Sequence, residues 1–338
     1  MPQRIDALES WLAEVLGHPD IRLTTASADA SFRRYFRVHA GGQTWIAMDA
    51  PPDREDCGPF IKVARLLFSM GLNVPEILQE ERQAGFLLLS DLGERLYLDV
   101  LEEGTVERLY GDAMAALAVI QACGPCNGQI PEYDRRLLMD EMGLFRDWLL
   151  GRHLGIKPDR QNAAMLEGTF ERLADNALEQ PRVFVHRDYH SRNLMVTGAN
   201  NPGILDFQDA VTGPVTYDLV SLLRDCYIEW PRARIEDWVL GYHELALESG
   251  ILRSEQEDES RFLRWFDLMG VQRHLKASGI FARLNHRDGK PGYLKDIPRT
   301  LGYILDVAER YPELAELREL VSSRVVPGLD AGSRQGGA

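Results

Sequence analysis

The stretch Val183-Phe184-Val185-His186-Arg187-Asp188-Tyr189-His190-Ser191-Arg192-Asn193-Leu194-Met195-Val196 decides how the rest of this sequence is read. Two apolar, β-like runs, 183–185 and 194–196, enclose a polar loop. The loop carries His-Arg-Asp and, five residues after the Asp, an Asn. Thirteen residues beyond that Asn stands Asp206, at the end of a second β-like run, Gly203-Ile204-Leu205-Asp206-Phe207-Gln208. A loop held at both ends by short strands fixes a carboxylate in place while leaving it accessible, which suits a reactive side chain.

Outward from this segment the two sides differ in character. Upstream, a helical period over 5–16 precedes the runs 35–39 and 44–48, which flank Gly41-Gly42, a hairpin signal. A helix over 59–70 closes at Gly71, and short strands at 74–78 and 85–89 follow. From Gly93 onward helical periods dominate, over 106–121, 135–154, 163–179, 217–228, 235–249, 258–283 and 297–309. The expected fold class is α+β, and the resemblance of the quoted loop to the catalytic loop of kinases implies a two-lobed protein-kinase-like fold. Its small β-rich lobe spans 1–92, its larger helical lobe with the quoted loop spans 93–326, and a Gly-rich tail over 327–338 is expected to be disordered.

Length and charge narrow the class further. The 338 residues exceed the roughly 250–300 at which a single core stops growing, which favours two domains. With 38 Lys and Arg against 52 Asp and Glu the net charge is −14. That balance argues against a nucleic-acid partner, whose phosphates call for clustered cations. Apolar runs such as Phe86-Leu87-Leu88-Leu89 fall far short of the ~20 residues that cross a bilayer. Asp6 stands where a secretory leader would need its apolar stretch. A cytoplasmic protein with a small-molecule partner, no membrane and no nucleic acid is expected, with its oligomeric state open. Cys123-Gly124-Pro125-Cys126 has redox spacing but follows a helical period instead of preceding one. Neither thiolate then gains from a helix N-terminus, and structural thiols are expected.

The loop's residue types fit phosphoryl transfer. His-Arg-Asp, an Asn five residues on and a later Asp-Phe form the pattern that kinases place around a transferring phosphate. The transition state is loose, so the protein's share is positioning and charge stabilisation. Magnesium takes hard oxygen ligands, and Asn193 and Asp206 can supply an amide and a carboxylate oxygen. Asp188 can orient an acceptor hydroxyl and take its proton. Catalysis is therefore expected from Asp188, Asn193 and Asp206, with ATP and Mg2+ as cofactors. His186 and Asp218 are expected to brace the loop, and His190 to brace it or to assist at the phosphate.

The segment resembles the aminoglycoside phosphotransferase and choline kinase-like family, whose loop reads His-x-Asp-x-His-x-x-Asn. His186, Asp188, His190 and Asn193 fit it. The runs Leu205-Asp206-Phe207-Gln208-Asp209-Ala210 and Gly213-Pro214-Val215-Thr216-Tyr217-Asp218-Leu219 resemble that family's metal-ligand segment and the opening of its next helix. Asn73-Val74-Pro75-Glu76-Ile77-Leu78 and Leu87-Leu88-Leu89-Ser90-Asp91-Leu92-Gly93 resemble its inter-lobe hinge, which implies adenine at the backbone of Ser90 and Leu92. The likeness covers about residues 25 to 250.

One departure stands out. The family carries a Lys on its third strand that pairs with a Glu on the following helix. Overlaid on Thr44-Trp45-Ile46-Ala47-Met48-Asp49, that position is Met48 or Asp49, and Pro59-Phe60-Ile61-Lys62-Val63 offers no acid. The missing charge is expected from Arg33 or Arg34, with Ser31 and backbone amides assisting. The run Ser31-Phe32-Arg33-Arg34-Tyr35-Phe36-Arg37 followed by Met48-Asp49-Ala50-Pro51-Pro52 is similar to a bacterial branch of the family, the anomeric kinases for N-acetylmuramate and N-acetylglucosamine that serve peptidoglycan recycling. Phe145-Arg146-Asp147-Trp148-Leu149-Leu150, Leu223-Arg224-Asp225-Cys226-Tyr227 and Val271-Gln272-Arg273-His274-Leu275-Lys276 look like that branch too. The resemblance implies ATP-dependent phosphorylation of a sugar C1 hydroxyl, with Arg146, Asp188, His190, Asp225 and Tyr227 toward the acceptor. Two alternatives remain beside it: a kinase for another small alcohol, aminoglycoside or choline-like, and a non-catalytic nucleotide-binding regulator of the same fold.

Overall fold

The structure, a computed structural model, describes residues 2–27, 32–126 and 128–329. Ser31 and the tail over 330–338 lie outside the described residues. By internal contacts the chain divides into two units, 1–113 with 192–209 and 114–191 with 210–338.

In the first unit, helix α1 (Pro2–Leu16) precedes strands β1 (Arg22–Ser27), β2 (Arg34–Ala40) and β3 (Gln43–Asp49). Helix α2 (Gly58–Ser69) then leads to β4 (Ile77–Glu81) and β5 (Phe86–Ser90), and the sheet runs β1-β2-β3-β5-β4. Gly41 and Gly42 turn the β2–β3 hairpin at φ 55° and 79°, a conformation that residues with a Cβ adopt only with strain. Side chains alternate across a strand, so Trp45, Ala47 and Asp49 share one face of β3 while Ile46 and Met48 share the other. On the first face Ala47, Val38, Phe86 and Leu88 pack against Leu8 and Leu12 of α1. The fourth strand begins at Ile77, later than the pattern at 74–78 suggests. Pro75 has no N–H for a ladder, and the Asn73 carbonyl instead accepts the Ile204 N–H at 2.8 Å.

The second unit is mainly helical. Helix α3 (Val106–Cys123) crosses the division, and α4 (Arg135–Leu144), α5 (Arg160–Leu178), α6 (Tyr217–Leu223), α7 (Arg232–Glu248), α8 (Glu259–Asp288), α9 (Ile297–Arg310) and α10 (Ala315–Leu320) follow. Strand Arg182–Val185 pairs antiparallel with Val211–Pro214. Helix α8 is the centre of this unit and packs on α4, α5, α6, α7 and α9. Its Asp258 cap accepts the N–H groups of Ser260 and Arg261 at 2.9 and 3.2 Å, satisfying two of the first-turn donors. Trp230, Trp238 and Trp265 are buried as core. Helix α3 ends at Cys123, so the Cys-x-x-Cys spacing follows a helix, as expected, and both thiols are free and exposed. Among the described residues no helix is long and apolar enough to cross a membrane.

Two helices differ from their sequence patterns. The period over 135–154 is α-helical only to Leu144, and Phe145–His153 is π-helical. The change falls where α8 crosses. A Cβ placed on Gly279 would lie 2.3 Å from the Leu144 carbonyl carbon and 2.5 Å from the Leu144 oxygen and the Phe145 nitrogen. Main chain thus lies directly on main chain, which only glycine allows. The pattern over 217–228 is helical only to Leu223, because Arg224 turns out of the helix at φ −116° and ψ 54°.

Gly279→Ala should therefore destabilise the protein by about 1–3 kcal/mol or more, since the added methyl meets backbone and not a flexible side chain. Gly302→Ala, in α9 with nothing within 4 Å, is the control and should leave stability equal or slightly higher. Urea midpoints decide, and an unchanged midpoint for Gly279→Ala would contradict the crossing.

Candidate active site

The loop after Val185 is irregular main chain set inside the second unit as far as Ser191, so its amides need acceptors. Asp218, in the first turn of α6, accepts the N–H groups of His186 and Arg187 at 2.6 and 2.9 Å. Asp225, just beyond α6, accepts those of Ser191 and Tyr227, both at 2.9 Å. His186 takes the Asp188 N–H on Nδ1 at 3.3 Å. His186 and Asp218 thus brace the loop as expected. Asp225, expected at the acceptor, is also a brace, with one backbone amide on each carboxylate oxygen. Arg187 sits at φ 78°, unfavourable for a residue with a Cβ. Its N–H on Asp218 and its guanidinium on Glu141 hold it there.

Charge gathers around Asp188. Burial alone would raise its carboxyl, but Lys276, His190, Arg273 and Arg187 outweigh that and hold it below the usual carboxylate range. Burial pushes the His190 imidazole down to about 4, against the opposing pull of Asp225 and Asp188, so the ring is neutral at physiological pH. His190 stands edge-on to Tyr227 with ring centres 5.5 Å apart. Tyr227 leans on Phe281 at 6.2 Å, and Phe281 stacks on Tyr293 at 5.8 Å. Burial likewise drives the Asp218 carboxyl up to about 6.

Beneath this cluster lies a residue that no motif or spacing singles out. Glu141 of α4 is buried, pairs with Lys276 at 3.0 Å and with Arg187, and accepts the Tyr133 hydroxyl. Lys276 also donates to the Tyr217 hydroxyl at 2.9 Å. A sequence signal for this neighbourhood is the 271–276 run, which contains Arg273 and Lys276. Arg146, expected near the acceptor, lies on the π-helical stretch and pairs with Asp147 at 2.8 Å. Among the described residues no contact brings it to the loop.

Between Ser191 and Arg192 the chain passes into the first unit, where Asn193 and Asp206 are found. Asn193 Nδ2 donates to Asp206 Oδ2 at 3.4 Å, and Gln208 Nε2 donates to Asp206 Oδ1 at 2.8 Å. Asp206 holds φ 62°, a second costly conformation for a residue with a Cβ. The Gln208 Oε1 is buried with no hydrogen-bond partner among the described residues. One carboxylate with two carboxamides is a hard-oxygen donor set and fits magnesium. Gln208, two residues past Asp206, belongs to that donor set, although the sequence pattern singles out only Asn193 and Asp206.

These residues are tied to the segment assigned to adenine. Val196 N–H donates to Arg95 O at 2.8 Å, Met195 bridges to Leu96, and a Cβ on Gly203 would lie 3.0 Å from Leu92 Cδ1. Ser90 exchanges hydrogen bonds with Glu76, giving its N–H to the Glu76 carbonyl at 2.9 Å and taking the Glu76 N–H on Oγ at 2.8 Å. Arg37 clamps the following turn through Asp91 at 2.7 Å and the Gly93 carbonyl at 2.6 Å.

The two arginines expected to replace the strand Lys are separated by strand parity. Arg34 lies opposite Asp49, and Tyr35 opposite Met48. Directly opposed residues share a face. Arg34 therefore lies on the α1 face, with Nε on Asp49 at 3.0 Å, and Arg4 of α1 donates to the same fully buried carboxylate at 2.7 Å. Arg33 precedes the strand with the parity of Tyr35 and Met48.

Residues 22–256 match the phosphotransferase enzyme family. An N-acetylmuramate/N-acetylglucosamine kinase of Pseudomonas aeruginosa is 50% identical over 317 residues, covering 93% of this chain and 92% of that protein. One of the same name from Pseudomonas putida is 46% identical over 342 residues, covering 98% of each. The crystal structure of a choline kinase from Streptococcus pneumoniae superimposes with a TM-score of 0.61 at 11% identity, over 90% of this chain and 99% of that one. At that identity the likeness concerns the fold, and it bears out the small β-rich part and larger helical part expected from the sequence.

The buried histidines make stability depend on pH. Burial pushes His190 to about 4 and His274 to about 3. A histidine held below its unfolded value of ~6.5 contributes stability that is complete above that value and is lost as pH falls toward the folded pKa. Asp218, raised to about 6, acts oppositely, and its contribution grows as pH falls through 6. Two groups outweigh one, so the urea midpoint should drop between pH 7 and pH 5. His274→Gln keeps a donor for the Arg224 carbonyl, 2.9 Å from Nε2, and should flatten that slope. An unaltered slope would mean that His274 is not held neutral.

Proposed function

The chain belongs to the phosphotransferase enzyme family, and we propose that it transfers the γ-phosphoryl group of ATP to the C1 hydroxyl of N-acetylmuramate and N-acetylglucosamine. The observation that carries this reading is the 50% identity, over nearly the whole chain, to an N-acetylmuramate/N-acetylglucosamine kinase. The loop geometry supports the chemistry. Asp188 stays ionised among Lys276, Arg273 and Arg187, and its main chain is fixed through His186.

In this mechanism Asp188 orients the C1 hydroxyl and accepts its proton as the sugar oxygen bonds to phosphorus and ADP departs. A hemiacetal hydroxyl is more acidic than an ordinary alcohol, so a carboxylate of low basicity suffices. Neutral His190 has an Nδ1 with no hydrogen-bond partner among the described residues, available to an oxygen of the acceptor or the phosphate. Asn193, Asp206 and Gln208 would hold magnesium, which when bound neutralises phosphate charge. The backbone of Ser90 and Leu92 meets the adenine, and Arg33 supplies the charge of the absent strand Lys. In this reading residues 1–92 form the nucleotide lobe and 93–326 the acceptor lobe, and the enzyme works in the cytoplasm in peptidoglycan recycling. The cations around Asp188 disfavour a polycationic aminoglycoside as the acceptor.

Incubation of the purified protein with ATP, magnesium and each amino sugar, followed by phosphorus NMR, should show a sugar 1-phosphate. Phosphate at another position, or on neither sugar, would remove the assignment. Asp188→Asn should cut turnover by about 100-fold or more with ATP binding retained, and retained turnover would dismiss the base. Arg33→Ala should raise the KM for ATP, whereas Arg34→Ala should lower stability and leave that KM near wild type. The reverse pattern would place the phosphate contact on Arg34.

A further inference from the structure

The buried cations of the second unit differ in one respect. Arg224 has Asp267 at 2.6 Å, Lys276 has Glu141 at 3.0 Å, and Arg187 shares Glu141. Arg273, only 5% exposed, has no carboxylate within ion-pair distance among the described residues. Its Nη1 donates to Cys226 Sγ at 3.6 Å, a weak acceptor, and its Nε is buried without a hydrogen-bond partner among the described residues. Burying a guanidinium with one donor unmet and another on a weak acceptor is costly, and an Arg in that state can still turn charge and donors to an anion brought from outside.

Its surroundings restrict what that anion is. Asp188 and Asp225 are among the groups that act electrostatically on Arg273. Asp225 is occupied by the Ser191 and Tyr227 amides, and Asp188 faces the acceptor hydroxyl in the reading above. Beside them runs the aromatic row His190, Tyr227, Phe281 and Tyr293, a surface suited to the C–H face of a pyranose. A sugar seated there with its anomeric hydroxyl on Asp188 carries its ring substituents toward the remaining polar groups of the same unit. N-acetylmuramate bears a lactyl carboxylate, and N-acetylglucosamine has a hydroxyl in its place.

We propose that Arg273 is the specificity residue that pairs with the lactyl carboxylate of N-acetylmuramate, while N-acetylglucosamine binds without using it. The inference rests on the amino-sugar kinase reading and assigns its acid selectivity to one side chain.

The test compares both sugars with wild type and Arg273→Met. The KM for N-acetylmuramate should rise about 10- to 100-fold, the range for a lost hydrogen bond to a charged group. Because Arg273 also helps keep Asp188 ionised, kcat should fall alike on both sugars, whereas the KM for N-acetylglucosamine should change by less than about threefold, and Arg273→Lys should recover part of the loss in KM. Because a buried substitution threatens folding, the wild-type enzyme is also given the methyl ester of N-acetylmuramate, which should show a KM rise of similar size. Equal KM rises on both sugars would mean that Arg273 serves the phosphoryl group or the fold and would overturn the proposal, as would an unchanged KM for the ester. A wild-type protein that phosphorylates neither sugar would overturn the functional reading itself, and this assignment with it.

Discussion

Irregular main chain can be buried only where its amides find acceptors, and in this protein two carboxylates meet that requirement for the catalytic loop. Asp218 takes the amides of His186 and Arg187, and Asp225 takes those of Ser191 and Tyr227. Much else depends on these contacts. Helix α6 begins where Asp218 can reach back to the loop and stops at Leu223, so that Asp225 can turn onto it. The unfavourable φ of Arg187 is tolerated because its amide is held and its guanidinium has Glu141. The arrangement works against desolvation, which drives Asp218 to about 6 although it accepts two amides. Hydrogen bonds to a charged group are worth about 1.5–3 kcal/mol each, enough to keep a buried acid ionised at neutral pH but not to restore its ordinary pKa.

The overall charge of −14 gives no hint of the local field. Around Asp188 the neighbours are cationic, and Glu141 supplies the counter-charge for Lys276 and Arg187 from beneath. A base so placed stays ionised, and His190 beside it stays neutral. An ionised carboxylate and a neutral imidazole are thereby held two residues apart.

What could be read from sequence alone was what is local. His186, Asp188, His190, Asn193 and Asp206 carry their message in residue type and spacing, and Gly41-Gly42 announces its turn. What could not be read depends on elements far apart in the chain. Glu141 matters because α8 lies on α4, and no spacing around residue 141 reports that approach. The change to a π-helix at Phe145 coincides with Gly279, more than a hundred residues away. The bracing role of Asp225 depends on where α6 ends, and helix ends are the least legible feature of a periodic pattern. The grouping of 192–209 with the first unit likewise rests on pairings such as Ile204 with Asn73.

The missing strand Lys shows how register settles what composition leaves open. Of the two residues that could occupy its position, Asp49 lies on the face covered by α1, gripped by Arg4 and Arg34, and takes part in holding that helix to the sheet. Removing one member of such a buried cluster would strand the others, which is reason enough for Arg34 to stay where it is. The opposite face carries Met48, Tyr35 and Arg37, and Arg37 is bound to Asp91 and the turn after β5. Adjacent arginines that look interchangeable in sequence are therefore separated by the period of a strand: Arg34 joins the cluster that ties α1 to the sheet, and Arg33 carries the parity of Met48.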